Sequence, residues 1–329
     1  LWPGMDTLAC MHAAHEGKVR FAMCLGGNLF GSNPDAKFAA EAMSRIDQVV
    51  YLSTTLNTGH AWGRGRETII LPVKPRDEES QATTQESMFN FVRLSDGGPA
   101  RHEGPRSEVE TIAAVGHALL GDRPDLPMKW SDLASHEHIR QLIARIIPGY
   151  EKLGDIDRTK REFTIAGRVL HQPKFATDTG RAKLHVIALP ELLGDAEAKG
   201  AGARCQMSDG RTRNSELGTR NFLRLMTLRS EGQFNTVVYE EQDIYRGQER
   251  RDVILMNAAD IRRLRLREDQ PVTVRNEVGS MPNILVREFD LPPGNAAMYY
   301  PEANVLVPRE ADALSRTPRF KSVLVEIEG

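Results

Sequence analysis

The stretch Val-Arg-Phe-Ala-Met-Cys-Leu-Gly-Gly-Asn, residues 19–28, decides the fold of the first half of the chain. Its apolar run is short enough to be a buried strand, and the two glycines after it are typical of a tight turn. Apolar residues at helical spacing follow over Ala36–Arg45, and a second apolar run follows at Asp47–Leu52. A strand, a helix and a second strand in this order predict neighbouring parallel strands with a helix packed on the sheet.

The pattern changes after the first half of the chain. Glu108–Leu120, which Gly121 ends, is predicted as a helix, and the proline-punctuated residues 122–160 form a boundary with one helix inside. Beyond that boundary, short apolar runs separated by turn residues predict many short strands, which are typical of a small β-barrel. The predicted strands are Phe163–Ala166, Lys183–Ile187, Phe222–Thr227, Asp252–Met256, Pro271–Val274 and Val323–Ile327, with one helix at Ala258–Leu264. We therefore predict an α/β domain at 1–150 and a β-barrel domain at 160–329.

Composition narrows the class of protein. The chain has 329 residues, a net charge of −2 and three cysteines that lie far apart. The near-neutral charge gives no electrostatic case for a nucleic-acid partner. The sparse cysteines fit neither a zinc knuckle, an iron–sulfur loop nor a disulfide scaffold, and they favour a reducing compartment. Since the sequence has no apolar run of about 18 residues, we predict no membrane span.

The first residue is Leu1 rather than a methionine, and we interpret the chain as a fragment of a longer protein. We predict that this protein is cytoplasmic. Export through a leader sequence upstream of Leu1 stays open as the alternative.

Polar residues follow the first two predicted strands. The backbone amides of a glycine turn such as Gly27–Asn28 can bind an anion, although the Gly-x-Gly-x-x-Gly fingerprint is absent. Ser53–Asn57 follows the second strand, where open parallel sheets bind ligands, and its hydroxyls and amide suit a ribose or a guanine edge. A plain turn and a helix N-cap are the structural alternatives for these two loops. His60 lies in the same polar loop and is a better candidate than the histidine pairs elsewhere in the chain, which we predict to be structural.

A third polar segment, Thr227–Thr236, follows a strand of the predicted barrel. It combines a cation, amides and hydroxyls, and such a loop can bind a polar heterocycle and a phosphate. A solvated hairpin loop is the structural alternative.

Taken in order, these segments resemble the molybdopterin oxidoreductases along nearly the whole chain, and among them the formate dehydrogenase alpha-subunit-like proteins. In the first half the resemblance rests on His15–Arg20, Gly26-Gly27-Asn28, Asn33-Pro34-Asp35, Thr55-Leu56-Asn57-x-x-His60, Ile70-Leu71-Pro72, Thr84–Met88 and Ser107-Glu108-Val109. In the second half it rests on Thr227-x-Arg229, Asn235-Thr236, Tyr245-x-Gly247, Met256-Asn257-x-x-Asp260, Tyr300-Pro301-Glu302-x-Asn304 and Thr317-Pro318-x-Phe320-Lys321.

The resemblance implies a fold and a cofactor. It implies a Rossmann-like parallel-sheet domain that holds one guanine dinucleotide arm of a bis-molybdopterin guanine dinucleotide cofactor, bis-MGD, with molybdenum or tungsten. A double-psi-type β-barrel would follow and lie across the pterins. The iron–sulfur cluster and the metal ligand of such proteins lie in an N-terminal part that this sequence lacks, so we predict no catalytic residue and no metal ligand here.

The resemblance also implies cofactor-binding residues. They are Gly27 and Asn28 for a phosphate or ribose, Ser53, Thr54, Thr55 and Asn57 for the sugar or base, and Thr227, Arg229, Gln233, Asn235, Thr236, Tyr300, Asn304 and Lys321 for the pterins and phosphates. Many relatives have an acidic residue near the end of the second strand, where this chain departs from the family pattern with Ser53 and Thr54.

The resemblance implies that the chain is the cofactor-binding, C-terminal portion of an oxidoreductase. The full-length protein would oxidise or reduce a small substrate by two electrons. Its partners would be that small molecule, the N-terminal domains of the same protein and an electron-transfer protein. The alternative is a non-catalytic binding module that docks onto a separate catalytic chain.

Overall fold

The structure is a computed structural model, and it describes residues 4–126, 128–167, 173–184, 186, 221–233, 236, 239–312 and 315–329. The chain divides into two compact units. The first contains the described residues of Leu1–Tyr51, Thr55–Ile70 and Ala188–Gly329, and the second contains those of Leu52–Thr54 and Leu71–Ile187. The strand predicted at Lys183–Ile187 lies partly outside the described residues.

The N-terminal part of the chain forms a three-stranded sheet in the order β1 (Phe21–Leu25), β2 (Gln48–Ser53) and β3 (Glu67–Pro72). The amide of Glu67 donates to the carbonyl of Asp47, and that of Val73 donates to the carbonyl of Ser53. The difference in residue number between the bonded positions of β2 and β3 is the same at both ends of this strand pair, as parallel pairing requires. The parallel sheet predicted from the alternating pattern is therefore confirmed.

Helices flank this sheet at α1 (Thr7–His15), α2 (Leu29–Ser32), α3 (Ala36–Ser44) and α4 (Thr58–Trp62). The helix α3 was predicted because its apolar residues recur at helical spacing, and these are the residues that it buries. Phe38, Ala39, Ala42 and Met43 pack into one core with Val49 and Tyr51 of β2. The helix begins where the Asp35 carboxylate accepts a hydrogen bond from the amide of Phe38 at 3.1 Å.

The second unit contains an antiparallel sheet of β4 (Thr83–Glu86), β5 (Phe91–Ser95) and β6 (Phe163–Thr164), with α5 (Glu108–Leu120), α6 (His136–Ile146) and α7 (Ile156–Thr159). The bounds predicted for α5 are those observed. Ser107 and Glu110 form a reciprocal capping box at its start, and Gly121 adopts a positive φ of 63° at its end.

The second half of the chain forms a closed barrel of six strands in the order β10-β8-β11-β7-β12-β9. The strands are β7 (Phe222–Leu228), β8 (Val253–Met256), β9 (Pro271–Arg275), β10 (Ser280–Glu288), β11 (Asn295–Tyr299) and β12 (Val323–Glu328), and α8 (Ala258–Arg263) follows β8. The pairs β7–β11 and β8–β10 are parallel, and the other four are antiparallel. Aliphatic side chains of alternating strand positions fill the interior, among them Leu225, Ile254, Val274, Val286 and Val325.

Short 3-10 helices complete the described chain at Arg76–Glu78, Trp130–Ala134, Glu151–Asp155, Ile244–Arg246 and Glu302–Leu306. None of the helices within the described ranges combines the length and apolar character needed to cross a membrane.

Candidate functional site

The carboxyl ends of β1 and β2 carry a group of polar residues that we call the strand-end cluster: Asn28, Asn57, Thr58 and His60. Asn28 is only 2% exposed. Its Oδ1 accepts from the amide of Gly31 at 2.7 Å, and its Nδ2 donates to Thr58 Oγ1 at 2.8 Å and to the Thr236 carbonyl at 3.3 Å. The protein itself therefore uses the hydrogen-bonding capacity of the Asn28 side chain.

Gly27, directly before Asn28, has free space where a side chain would lie. A Cβ at this position would meet one atom within 4 Å, the Leu25 carbonyl oxygen at 3.8 Å. The backbone here can approach a ligand more closely than a residue with a side chain could.

Asn57 and His60 cap α4 reciprocally. Asn57 Oδ1 accepts from the amide of Gly59 at 2.9 Å, and His60 Nδ1 accepts from the amide of Asn57 at 3.1 Å. Asn57 thus has the N-cap role that the sequence left open for this loop. The remaining side-chain nitrogens, Asn57 Nδ2 and His60 Nε2, are buried and have no hydrogen-bond partner among the described residues.

The other predicted residues of the β2 loop differ in exposure. Ser53 ends β2 and is buried, and its carbonyl accepts from the amide of Val73 at 3.1 Å. Thr54 and Thr55 are exposed.

A second group of polar residues, which we call the barrel-loop cluster, consists of Thr227, Arg229, Tyr300 and Lys321. The Thr227 amide and hydroxyl both donate to the Phe320 carbonyl at 3.0 Å, and Lys321 Nζ donates to the carbonyl of Thr227. The Arg229 guanidinium lies 5.5 Å from the centre of the Tyr300 ring. The contacts therefore bring three stretches of the chain, around Thr227–Arg229, Tyr300 and Phe320–Lys321, together at one end of the barrel.

The charges in the barrel-loop cluster are unbalanced. Partial burial, together with the positive charge of Arg229, lowers the pKa of Lys321. Within the part of the chain that the structure describes, neither Arg229 nor Lys321 forms an ion pair with a carboxylate. Two like charges held near each other without a counter-ion are suited to bind an anion.

A buried arginine that was not predicted from the sequence stabilises the barrel-loop cluster. Arg251 is 4% exposed, and its guanidinium donates to both carboxylate oxygens of Glu302 at 2.7 and 3.0 Å. It also donates to Ser230 Oγ at 2.8 Å and to the Tyr300 carbonyl at 2.7 Å. Gln233, a predicted site residue, donates from Nε2 to the same Tyr300 carbonyl at 2.8 Å. Since Arg251 lies among other arginines in the sequence, no local pattern distinguishes it.

Two residues predicted to bind the pterins or phosphates contact the loop after β1 instead of the barrel-loop cluster. Thr236 Oγ1 lies 3.4 Å from the carbonyl of Asn28. Asn304, which is 1% exposed, donates from Nδ2 to the Gly31 carbonyl at 2.8 Å, and its Oδ1 has no partner among the described residues. Asn235 lies outside the described residues.

Within the described ranges, no three His, Cys, Asp or Glu side chains come together as a group that could hold a metal ion.

Comparison with known proteins fits this chemistry. Residues 223–324 match the family model of the Molydopterin dinucleotide binding domain. The chain is 31% identical to an uncharacterized oxidoreductase of Mycobacterium tuberculosis over 99% of its own length and 41% of that protein. It is 27% identical to the protein YdeP of Escherichia coli, over 99% of its own length and 42% of YdeP.

A solved structure shares the fold. Acetylene hydratase from Pelobacter acetylenicus superposes with a TM-score of 0.66 at 14% identity, over 98% of this chain and 46% of that protein. The chain thus spans about two fifths of the length of the curated relatives named above. The chain thus contains a segment similar to a Molydopterin dinucleotide binding domain, and along nearly its whole length it is similar to part of an uncharacterized oxidoreductase.

Proposed function

We propose that this chain is the C-terminal cofactor-binding portion of a formate-dehydrogenase-like oxidoreductase that binds bis-MGD with molybdenum or tungsten. The observation that carries the proposal is the uncompensated pair Arg229 and Lys321, which lies inside the segment matching a dinucleotide-binding domain. The formate dehydrogenase branch rests on the ordered motifs of the sequence.

The residues present fit such a group. Arg229 and Lys321 would bind phosphate oxygens, and the face of Tyr300 suits a planar heterocycle. The unpartnered atoms Asn57 Nδ2, His60 Nε2 and Asn304 Oδ1 offer donors and an acceptor to a nucleotide. When bound, the cofactor would supply the two-electron chemistry on a small substrate, while this chain binds and orients it.

The finer description of the fold belongs to the same proposal. A barrel that combines parallel pairs β7–β11 and β8–β10 with antiparallel pairs supports the double-psi type. We propose that the N-terminal sheet is of the Rossmann-like type and that the protein is cytoplasmic, with N-terminal domains and an electron-transfer protein as partners.

The full-length gene product that contains this chain tests the proposal. We expect purified protein to contain molybdenum or tungsten, measured by mass spectrometry, and two guanine nucleotides for each metal atom after acid release. Charge-assisted hydrogen bonds contribute about 1.5–3 kcal/mol each, so the double substitution Arg229→Gln and Lys321→Gln should lower cofactor occupancy roughly tenfold or more.

Arg262→Gln is the matched control, because Arg262 is an exposed arginine of α8, outside the barrel-loop cluster. A folded full-length protein without metal and guanine nucleotide would contradict the proposal. A protein that holds the cofactor but transfers no electrons from any small substrate would favour the non-catalytic module.

A further inference from the structure

A cavity of about 590 Å³ opens at one end of the barrel, where β8 begins and β11 ends. Met281, Ile284 and Met298 give it an apolar lining, and the last two of these side chains are almost fully buried. A volume of this size lies in the range of sites that bind small organic molecules. None of the lining residues belongs to the strand-end cluster or the barrel-loop cluster.

The buried arginine in the cavity wall has no donor left for a ligand. The Arg251 guanidinium lies between two aromatic rings, 4.3 Å from the centre of the Tyr239 ring and 4.9 Å from that of Tyr299. Each of its three nitrogens donates to an acceptor of the protein, and two of them donate to the Glu302 carboxylate at 2.7 and 3.0 Å. The positive charge of Arg251 is therefore compensated within the protein.

The charge that remains on the wall is negative. Arg250 donates from Nε to Asp252 Oδ1 at 2.5 Å, so this second ion pair is compensated as well. Glu241 and Glu249 are exposed, and within the part of the chain that the structure describes neither carboxylate has an ion pair or a hydrogen bond. The cavity thus combines an apolar lining with two free carboxylates.

We propose that this cavity binds an organic cation, a guanidinium or ammonium group on an apolar chain, with its charge at the two free carboxylates and its chain against the apolar lining. An anion would meet like charge there, and a neutral molecule would leave both carboxylates without a counter-ion. The flexible side chains of Met281 and Met298 can adapt to chains of different shape. The proposal goes beyond cofactor binding, because the cavity lies outside the residues expected to contact the cofactor.

Three compounds of nearly equal size test the charge that the cavity selects: n-butylguanidinium, the neutral N-butylurea and the anionic pentanoate. The readout is NMR of the full-length gene product labelled with carbon-13 in its methionine methyl groups. Met281→Leu and Met298→Leu identify the two signals of the lining. We expect n-butylguanidinium to shift both signals and to bind roughly fivefold more tightly than N-butylurea, and pentanoate to leave the signals in place.

Two results would overturn the proposal. Signals that n-butylguanidinium leaves in place would show that the cavity holds only solvent. Equal binding of N-butylurea, or a shift caused by pentanoate, would show that the carboxylates select no cation. Cofactor content of the same preparation is a separate measurement, so either result leaves the proposed function standing.

The double substitution Glu241→Gln and Glu249→Gln provides the matched variant. It keeps the size of both exposed side chains and removes their charge, so we expect unchanged stability and a Kd for n-butylguanidinium that rises roughly fivefold, to that of N-butylurea. Glu268→Gln is the control, since Glu268 is exposed and lies outside the lining. A double variant that binds n-butylguanidinium as tightly as this control would contradict the proposal.

The same cationic chemistry occurs in a free amine and in the arginine side chain of another polypeptide. A short arginine peptide with blocked ends distinguishes the two sources. Tighter binding of the peptide than of n-butylguanidinium would assign the cavity to a polypeptide partner, and weaker binding would assign it to a free small cation.

Discussion

The strand-end cluster and the barrel-loop cluster both offer hydrogen bonds to a ligand, but they differ in charge and in what holds them. The strand-end cluster is neutral, with Asn28 and His60 buried, and amide and hydroxyl groups around Asn28 stabilise it. The barrel-loop cluster presents the cations Arg229 and Lys321, and the ion pair of the buried Arg251 with the half-buried Glu302 stabilises it. A dinucleotide needs both kinds of contact, because its base is uncharged and its phosphates are anionic.

The largest expected effect comes from removing the charge that holds the barrel-loop cluster. Arg251→Met leaves the Glu302 carboxylate without its partner and removes one of the two donors to the Tyr300 carbonyl, the other being Gln233. The loss of the charge-assisted hydrogen bonds that the buried Arg251 guanidinium makes should cost about 3 kcal/mol, and urea unfolding should show that loss of stability.

The neighbouring Arg250 gives a control for the arginine prediction. It is exposed and pairs with Asp252, so Arg250→Met should cost less than about 1 kcal/mol. Equal losses for the two variants would contradict the role assigned to Arg251.

A smaller effect is expected at the neutral cluster. Asn28→Ala removes the cap on the Gly31 amide and both donors to Thr58 and Thr236, which should lower the free energy of unfolding by about 2 kcal/mol. Calorimetry should show this loss, while Asn221→Ala should change stability by less than about 0.5 kcal/mol. Unchanged stability in Asn28→Ala would mean that its side chain is free for a ligand after all.

The smallest effect is the dependence of stability on pH that His60 of the strand-end cluster contributes between neutral and acid pH. Burial lowers the pKa of His60 in the folded chain below its ordinary value of 6.5. As the pH falls below 6.5, the unfolded chain takes up a proton that the folded chain refuses, so stability present above 6.5 is lost on the acid side. The loss ends once the pH has passed through the folded pKa.

Urea midpoints measured between pH 7.5 and 5 check this prediction by comparison with His60→Gln, which lacks the titrating group. The unsubstituted chain should lose more stability than the variant, by about 1.4 kcal/mol for each unit by which the pKa is lowered. Parallel pH profiles would show that His60 is protonated in the folded chain.

Elements defined by local signals could be predicted from the sequence. The helix α5 was predicted with its observed bounds because Ser107 and Gly121 mark its ends. The strands β10 and β11 were missed. Pro282 and a register shift between Met281 and Ile284 interrupt the pattern of β10, and the sequence Asn-Ala-Ala-Met-Tyr of β11 becomes a strand through pairing with β7 and β8.

Part of the candidate site could likewise be predicted from the sequence, and part could not. The polar loops after β1, β2 and β7 could be located, because strand ends and turn residues are visible in the sequence. The sequence could not show which polar atoms are left without a partner inside the protein. That depends on contacts between residues far apart in the chain, such as the one between Asn28 and Thr236. Asn28 stays a predicted ligand contact although its side chain already has partners within the protein, and His60 is not among the predicted cofactor-binding residues.

The strand order of the barrel has a consequence for synthesis of the protein. The first barrel strand, β7, pairs only with late ones, since Leu225 lies opposite Ala296 of β11 and Val323 of β12. At a ribosomal rate of about 5–20 residues per second, roughly 5–20 seconds pass between the synthesis of β7 and the synthesis of β12. During that interval its edges are open to wrong partners, and a chaperone that shields a nascent strand would act there.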